Sequence, residues 1–126
     1  MTPYSKELRD CLDKLAQCHR TCLSMALTHC LEMGGEHARP QHLRLMLDCA
    51  SFCALTEEAI LRKSQFHAGI LKLCADICET CAKACQALGQ MDACVADCQA
   101  CAVACRTSAR LDHSEVLEMA ERLPPE

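Results

Sequence analysis

The sequence predicts an all-α protein, an antiparallel four-helix bundle with a short additional C-terminal helix, formed by residues 1–126 as a single domain. Long segments are rich in Ala, Leu, Glu, Lys and Gln, which favour helices. The chain contains only four Gly and four Pro, and almost all of them lie between these segments. Cysteines recur at spacings of three and four, which places them on one face of a helix. A chain of 126 residues is long enough to bury one core.

Breaks in the helical pattern give the bounds of each element in order. We expect helices at residues 4–33, 41–63, 66–88, 91–108 and 112–122. Gly34 ends the first helix, Pro40 precedes the second, and Gly89 follows the third. The joint between the second and third helices contains neither Gly nor Pro, so this boundary is the least defined. Asp112 or Ser114 is a suitable N-cap for the terminal helix. Because the connections are short, the four long helices are expected to be antiparallel neighbours.

Cysteine is the most unusual component of the chain. Fourteen of the 126 residues are Cys, whereas Trp is absent and only three residues are Phe or Tyr. This share, about 11%, exceeds the roughly 8–10% that indicates a disulfide or metal scaffold. The candidate metal ligands are Cys11, Cys18, Cys22, Cys30, Cys49, Cys53, Cys74, Cys78, Cys81, Cys85, Cys94, Cys98, Cys101 and Cys105. Sulfur must therefore fill part of the core volume that larger apolar side chains normally occupy.

An internal repeat carries eight of these cysteines. Residues 74–85 have the pattern C-x3-C-x2-C-x3-C, and residues 94–105 repeat it. Steps of four, three and four keep the sulfur atoms of each copy on one inward-facing stripe. Pairs four apart also occur in the first helix (Cys18/Cys22) and in the second. Cys30 lies away from the centre of its stripe, and we expect it to face a neighbouring helix. The cysteine face is therefore predicted to be the core face.

A core lined by thiolates favours monovalent copper. Soft sulfur ligands select Cu(I), Zn(II) and iron–sulfur clusters. Cu(I) accepts two or three sulfurs, so two cysteines four apart can bind one ion, whereas zinc takes four ligands that loops usually present. One Cu(I) per thiolate leaves the core nearly neutral, which avoids the cost of burying net charge. We expect several Cu(I) ions, on the order of ten to fifteen. The empty protein should still fold, since a free buried Cys behaves as a small hydrophobe.

Histidine and methionine side chains gather at one end of the predicted bundle. At about 100° per residue, His29 and Met33 lie on the cysteine stripe of the first helix. His42 and Met46 lie on the stripe of the second helix, and Met91 precedes the fourth. A single Met is more often core filler than a ligand, so the hypothesis depends on the convergence of all five. They are candidate ligands of a weaker, exchangeable Cu(I) uptake site.

The remaining histidines have less specific patterns. His67 lies seven residues before Cys74, at the opposite end of the bundle, and we expect His113 to approach it there. Both are candidate ligands there. His19 and His37 are expected at the surface.

The repeated C-x3-C-x2-C-x3-C, together with C-x3-C in the first two helices, resembles the four-helix-bundle copper storage proteins. The resemblance covers nearly the whole chain, and the charged N-terminus without a leader resembles their cytosolic branch. It implies a lumen that holds many Cu(I) ions between thiolates, His and Met at an open mouth, and a homotetramer. Leu15, Ala26, Thr56 and Ile60 are in phase with the cysteines but carry no thiol. We therefore expect a lower capacity along the first two helices.

Composition also limits partners and location. The net charge is −4, no long run of Lys or Arg occurs, and aromatic platforms are missing, so nucleic acid is not expected as a partner. No segment approaches the roughly 18 apolar residues of a membrane span, and the N-terminus lacks an apolar signal segment, which predicts a cytoplasmic protein with reduced thiols. The expected partners are copper ions and proteins that deliver or accept copper.

A second apolar line along the first two helices independently predicts an oligomer. It consists of Leu12, Leu23, Leu27, Leu45, Phe52, Leu55 and Ala59.

Alternative functions use the same cysteines differently. A disulfide-stapled, chaperone-like helical protein would also contain paired C-x3-C motifs, but it requires oxidised thiols. An iron–sulfur electron carrier would use Cys78, Cys81 and Cys85, yet such motifs usually contain loop glycines and often a Pro after the last Cys. A redox enzyme is disfavoured because no C-x2-C opens a helix after a strand. The sequence thus predicts a storage protein for copper homeostasis and not an enzyme.

Overall fold

The computed structural model describes residues 4–110, which form helices and no strand. Helix α1 consists of α-helical Lys6–Met25, π-helical Ala26–Cys30 and a final α-helical turn, Leu31–Met33. A 3₁₀ turn, Gly35–Ala38, leads to α2 (Pro40–Leu61), which is followed by α3 (His67–Leu88) and α4 (Asp92–Ala109). The four long helices are therefore confirmed, with each predicted end within two residues of the observed one. The predicted helix at 112–122 lies outside the described residues.

The ends of the helices follow local sequence signals. The Ser5 hydroxyl accepts a hydrogen bond of 3.2 Å from the backbone N–H three residues later and caps α1. Gly34 (φ 67°) and Gly89 (φ 79°) end α1 and α3 in a backbone region that disfavours a Cβ atom. At the joint without Gly or Pro, Lys63 itself adopts a positive φ of 61°. Because a lysine and not a glycine takes this conformation, the composition of the chain gave little indication of where α2 ends and α3 begins.

The four helices are arranged around a square. Contacts join α1 to α2, α2 to α3, α3 to α4 and α4 back to α1. The order of contacts shows the antiparallel direction, since Cys18 of α1 lies against Cys98 of α4 whereas Cys22 lies against both Cys98 and Cys94. The inward stripes of all four helices therefore face one central axis. No helix within residues 4–110 has the length and apolar character needed to cross a membrane.

The π-helical segment Ala26–Cys30 changes which residues of α1 face the core. Cys30 follows Cys22 by eight residues, which in a regular α-helix turns it about 80° away from the stripe. A π-helical turn accommodates one additional residue, and Cys30 is fully buried as a result. The prediction that Cys30 lies off the stripe is wrong, whereas its thiol does face the neighbouring helix α2, where it lies 3.6 Å from His42 Nε2 and from Met46 Sδ. The same shift leaves Met33 46% exposed and His29 half-buried.

Deleting Thr28, which is exposed within the π-helical segment, should leave the core aligned. Cys22 and Cys30 would then be seven residues apart, a spacing that a regular α-helix keeps in phase. We expect the free energy of unfolding in urea to change by less than about 1 kcal/mol. Deleting the exposed Gln17 from the α-helical part of α1 is the matched control, because it rotates Cys11 out of register with Cys18. Equal losses of stability in both variants would contradict this role of the π turn.

Cysteine forms the centre of the core. All fourteen Cys side chains are 0% exposed, and so are the in-phase residues Leu15, Ala26, Thr56 and Ile60. Thr56 is accommodated because its hydroxyl donates to the Phe52 carbonyl at 2.6 Å. The cysteine face is therefore the core face, as predicted.

The second apolar line is largely exposed in the single chain. Leu23, Leu27 and Leu55 are 37%, 53% and 37% exposed. Leu12, Leu45 and Phe52 are half-buried. Ala59 was predicted on this line but is fully buried, because its methyl side chain is too short to reach beyond the packed helices. The α1 and α2 surfaces thus retain apolar area that the monomer does not cover.

Candidate metal centre

The cysteine thiols form a continuous column along the bundle axis, here called the sulfur column. Ten of the fourteen sulfurs are linked by Sγ–Sγ contacts of 3.4–4.0 Å, of which the shortest joins Cys22 and Cys98. All fourteen cysteines are free thiols. A disulfide bond is only about 2.05 Å long, so the disulfide-stapled alternative does not describe this core.

Three groups of four thiols lie within the sulfur column. In each group the four Sγ atoms are all within 4.8 Å of one another. The groups are Cys18/Cys22/Cys49/Cys98, Cys18/Cys49/Cys53/Cys78 and Cys53/Cys74/Cys78/Cys101. The middle group shares two cysteines with each of the other two. These sites are therefore not separate pockets, and a thiolate in one group is also a ligand candidate in the next.

The sulfur spacing fits coordination to a common soft ion. Two sulfurs that each lie about 2.3 Å from one metal ion, at trigonal or tetrahedral angles, are roughly 3.8–4.0 Å apart. The observed contacts of 3.4–4.0 Å are close to this separation before any metal is bound. The helices thus hold the thiols near the geometry of a thiolate-bound ion, and loading requires only small side-chain movements.

Hydrogen bonds between neighbouring thiols lower the pKa of some cysteines and raise the pKa of others. Contacts from Cys18, and then from Cys22, lower the pKa of Cys49, since a thiolate there accepts hydrogen bonds from several sides. Contacts with Cys101 and other thiols, together with burial, raise the pKa of Cys53. The column can therefore hold some negative charge, but ionising every thiol would bury a large net charge. Monovalent cations that replace the protons one for one remove this obstacle.

Thiol, imidazole and thioether groups lie together at the end of the sulfur column where α1 finishes. This end, formed by Cys30, His42, Met46 and Met91, is here called the mouth. The Cys30 thiol is 3.6 Å from His42 Nε2, 3.6 Å from Met46 Sδ and 3.8 Å from Met91 Sδ. Their side chains are 8% or less exposed. Burial raises the pKa of Cys30, and burial followed by the neighbouring His37 lowers the pKa of His42. Both groups are therefore held in their uncharged forms at neutral pH.

Two further imidazoles surround the mouth. The ring centroids of His29 and His37 are 5.8 Å apart, and those of His37 and His42 are 6.5 Å apart. His37 is only 9% exposed and its Nε2 lies 3.0 Å from the Gly89 carbonyl oxygen, so the prediction that it lies at the surface is wrong. It was missed because it lies in a turn, where helical periodicity gives no information. Its only signal was its position three residues after Gly34, where the chain turns back.

The predicted uptake residues are thus only partly assembled. The structure brings His29, His42, Met46 and Met91 to the mouth, whereas Met33 lies outside this cluster. At the opposite end His67 is 1% exposed, and its Nδ1 lies 3.2 Å from the Ser64 carbonyl oxygen. His113 lies outside the described residues.

Comparisons with known proteins agree with this geometry. A sequence model of the family described as copper storage protein (Csp) matches residues 4–114. The cysteine-rich protein YhjQ of Bacillus subtilis is 39% identical over 85 residues, which are 68% of this chain and 75% of that protein. The crystal structure of a Nitrosospira multiformis protein is similar with 44% identity and a TM-score of 0.82, over 85% of this chain and 98% of that one.

Two copper storage proteins of known structure are also similar. A Cu(I)-bound copper storage protein is 34% identical with a TM-score of 0.74, over 82% of this chain and 99% of that one. The apo form of copper storage protein 3 from Bacillus subtilis is 35% identical with a TM-score of 0.69, over 79% of this chain and 95% of that one. The match extends to both the loaded and the empty forms, and all three solved structures are covered almost completely.

Proposed function

Because this chain belongs to the copper storage protein family, we propose that it stores Cu(I) as thiolate-bound ions along the axis of its bundle. The observation that carries the proposal is the continuous sulfur column, in which three four-thiol groups share members. All fourteen cysteines act as ligands, and about one Cu(I) per thiolate keeps the filled core nearly neutral. Zn(II) would balance the charge of the same thiolates with half as many ions. Each zinc ion takes four ligands in a tetrahedron, however, and that geometry does not match a continuous column of sulfur contacts.

We propose that copper enters through the mouth. Cys30, His42, Met46 and Met91 offer one thiol, one imidazole and two thioethers within 3.6–3.8 Å of the Cys30 sulfur. Neutral thioethers and imidazole hold Cu(I) less strongly than thiolates, since they supply no negative charge. An ion bound here is therefore favoured to move on to the thiolates below. His29 lies at the outer side of this site, beside His37.

The cellular compartment and the partners of the protein are inferred from the chemistry of its thiols and of its exposed apolar surface. We propose that it acts in the cytoplasm, where fourteen free thiols persist in reduced form. It exchanges Cu(I) with proteins that deliver or accept copper, and coordination and release require no catalytic step. We also propose a homotetramer, since Leu23, Leu27, Leu31 and Leu55 are 37–53% exposed on neighbouring helices and need a partner surface.

An anaerobic Cu(I) titration of the fully reduced protein against a competing chelator tests storage. We expect tight uptake of about one Cu(I) per Cys, on the order of ten to fifteen ions. Circular dichroism should show the same helicity before and after loading, because buried thiols already pack as small apolar groups. A thiol count in denaturant should give fourteen. Saturation at one to four ions, or thiols already oxidised on isolation, would contradict the proposal.

A further inference from the structure

Three histidines around the mouth, His29, His37 and His42, form what is here called the imidazole cluster. They come from the π-helical segment, the 3₁₀ turn and the first turn of α2. Their rings meet edge to face, at 86° for His29 and His37 and at 84° for His37 and His42. His29 Nε2 is buried and has no hydrogen-bond partner within residues 4–110. Burying imidazoles in this way is unfavourable unless their nitrogens acquire a partner.

His37 carries the clearest sign of a ligand. A carbonyl oxygen only accepts hydrogen bonds, so the 3.0 Å contact with Gly89 places the ring proton of His37 on Nε2. Its Nδ1 is then the basic nitrogen with a free lone pair. Metal-binding histidines commonly donate their other N–H to a backbone carbonyl, which fixes the tautomer and the ring orientation. The connection between α3 and α4 therefore holds His37 in a form suited to bind a metal ion.

We propose that the imidazole cluster is a second metal site, which binds one borderline divalent cation such as Zn(II) through His29, His37 and His42. Imidazole nitrogen suits Zn(II), Ni(II) and Cu(II), whereas the thiolates below suit Cu(I). Three histidines with one open position form a familiar zinc geometry. Two imidazoles on a common ion have ring centroids roughly 5–5.5 Å apart, so the rings must move closer than the observed 5.8 and 6.5 Å and turn their nitrogens toward one point when the ion binds.

Sharing of His42 couples this site to copper uptake, a consequence that rests on the proposed function. A neutral imidazole has one lone pair, and His42 Nε2 already lies 3.6 Å from the Cys30 thiol. His42 therefore serves either the divalent ion or an incoming Cu(I), but not both. A divalent ion in the imidazole cluster closes the mouth to copper, and its release opens it.

Cobalt(II) is a direct probe of the donor set. It is added anaerobically to protein loaded with Cu(I) to somewhat below its measured capacity, so that the thiolates are occupied and the mouth is free. We expect one equivalent to bind with ligand-field bands and without the near-ultraviolet sulfur-to-cobalt charge-transfer band. His37→Asn should weaken this binding by about 10–100-fold. His19→Asn is the matched control, since His19 lies outside the cluster with its Nδ1 3.1 Å from the Ala50 carbonyl oxygen.

The kinetic arm measures further Cu(I) uptake by the same partly Cu(I)-loaded protein, whose thiolates no longer compete for zinc, with and without one equivalent of Zn(II). Zinc should slow uptake about tenfold or more in the wild type and in H19N, but not in H37N. Circular dichroism checks that H37N folds, and H29N gives a second variant should it not. Tight Co(II) binding by H37N, or a sulfur charge-transfer band in the wild type, would overturn the site. Low Cu(I) capacity combined with cobalt binding through His37 would overturn storage and leave this inference standing.

Discussion

Replacing Cys18, Cys49, Cys53 and Cys78 with serine is expected to remove at least about four Cu(I) ions from the capacity of the protein. These four thiols form the middle group of the sulfur column, and two of them belong to each of the adjoining groups. Their loss therefore breaks all three four-thiol groups at once, and the ions that remain should bind more weakly. A hydroxyl replaces each sulfur, and it supplies no soft ligand.

The quadruple variant should still fold, because the core already contains a buried hydroxyl. Thr56 is 0% exposed and donates to the carbonyl four residues earlier at 2.6 Å, and serine in a helix can do the same. The control places serine at four buried alanines that keep every thiol: Ala50, Ala75, Ala82 and Ala102. Equilibrium titration with a Cu(I) chelator measures both variants. A capacity within one ion of the wild type in the quadruple variant would contradict the shared-group arrangement.

The sequence was sufficient to predict the bundle because each helix repeats one simple rule. In α3 and α4 the cysteines are spaced four, three and four residues apart, which is compatible with only one buried face. The eight cysteines of these two helices are buried as expected. Gly34, Pro40 and Gly89 lie at the joints for stereochemical reasons that do not depend on tertiary contacts. Local chemistry and the global fold agree in these elements, which is why their bounds were predicted within two residues.

The mouth could not be predicted in the same way, since two of its features depend on tertiary packing. The π turn arises because burial of Cys30 outweighs the regular hydrogen-bond pattern, and the helical wheel assumes that pattern. His37 follows no period, and its burial depends on how the Gly35–Ala38 turn lies against Gly89. The wheel therefore placed Met33 on the stripe and Cys30 away from its centre, and it missed His37. These are also the positions at which metal exchange is proposed.

The empty protein is expected to lose stability steeply above pH 9, whereas the Cu(I)-loaded protein is not. Eight of the fourteen thiols have a pKa raised above the ordinary value of 9.0, by contacts with neighbouring thiols and by burial. For Cys30 burial is the leading cause. These groups keep their protons when folded, while the same thiols ionise near pH 9 when unfolded. Their contribution to stability is therefore complete below pH 9 and is lost as the pH rises above it.

The expected size of this loss makes it easy to measure. Each thiol that keeps its proton costs about 1.4 kcal/mol per pH unit above 9, and eight of them would exhaust a typical stability of about 5–15 kcal/mol within roughly one to two units. Urea unfolding followed by circular dichroism at pH 8, 9 and 10 gives the free energy directly. The Cu(I)-loaded protein is the internal control, because it contains the same lysines and Tyr4 but its thiolates have no protons to lose. Equal stability of the empty protein at pH 8 and 10 would mean that the thiols ionise freely inside the bundle, and a core that tolerates that charge would not need one copper ion per thiolate.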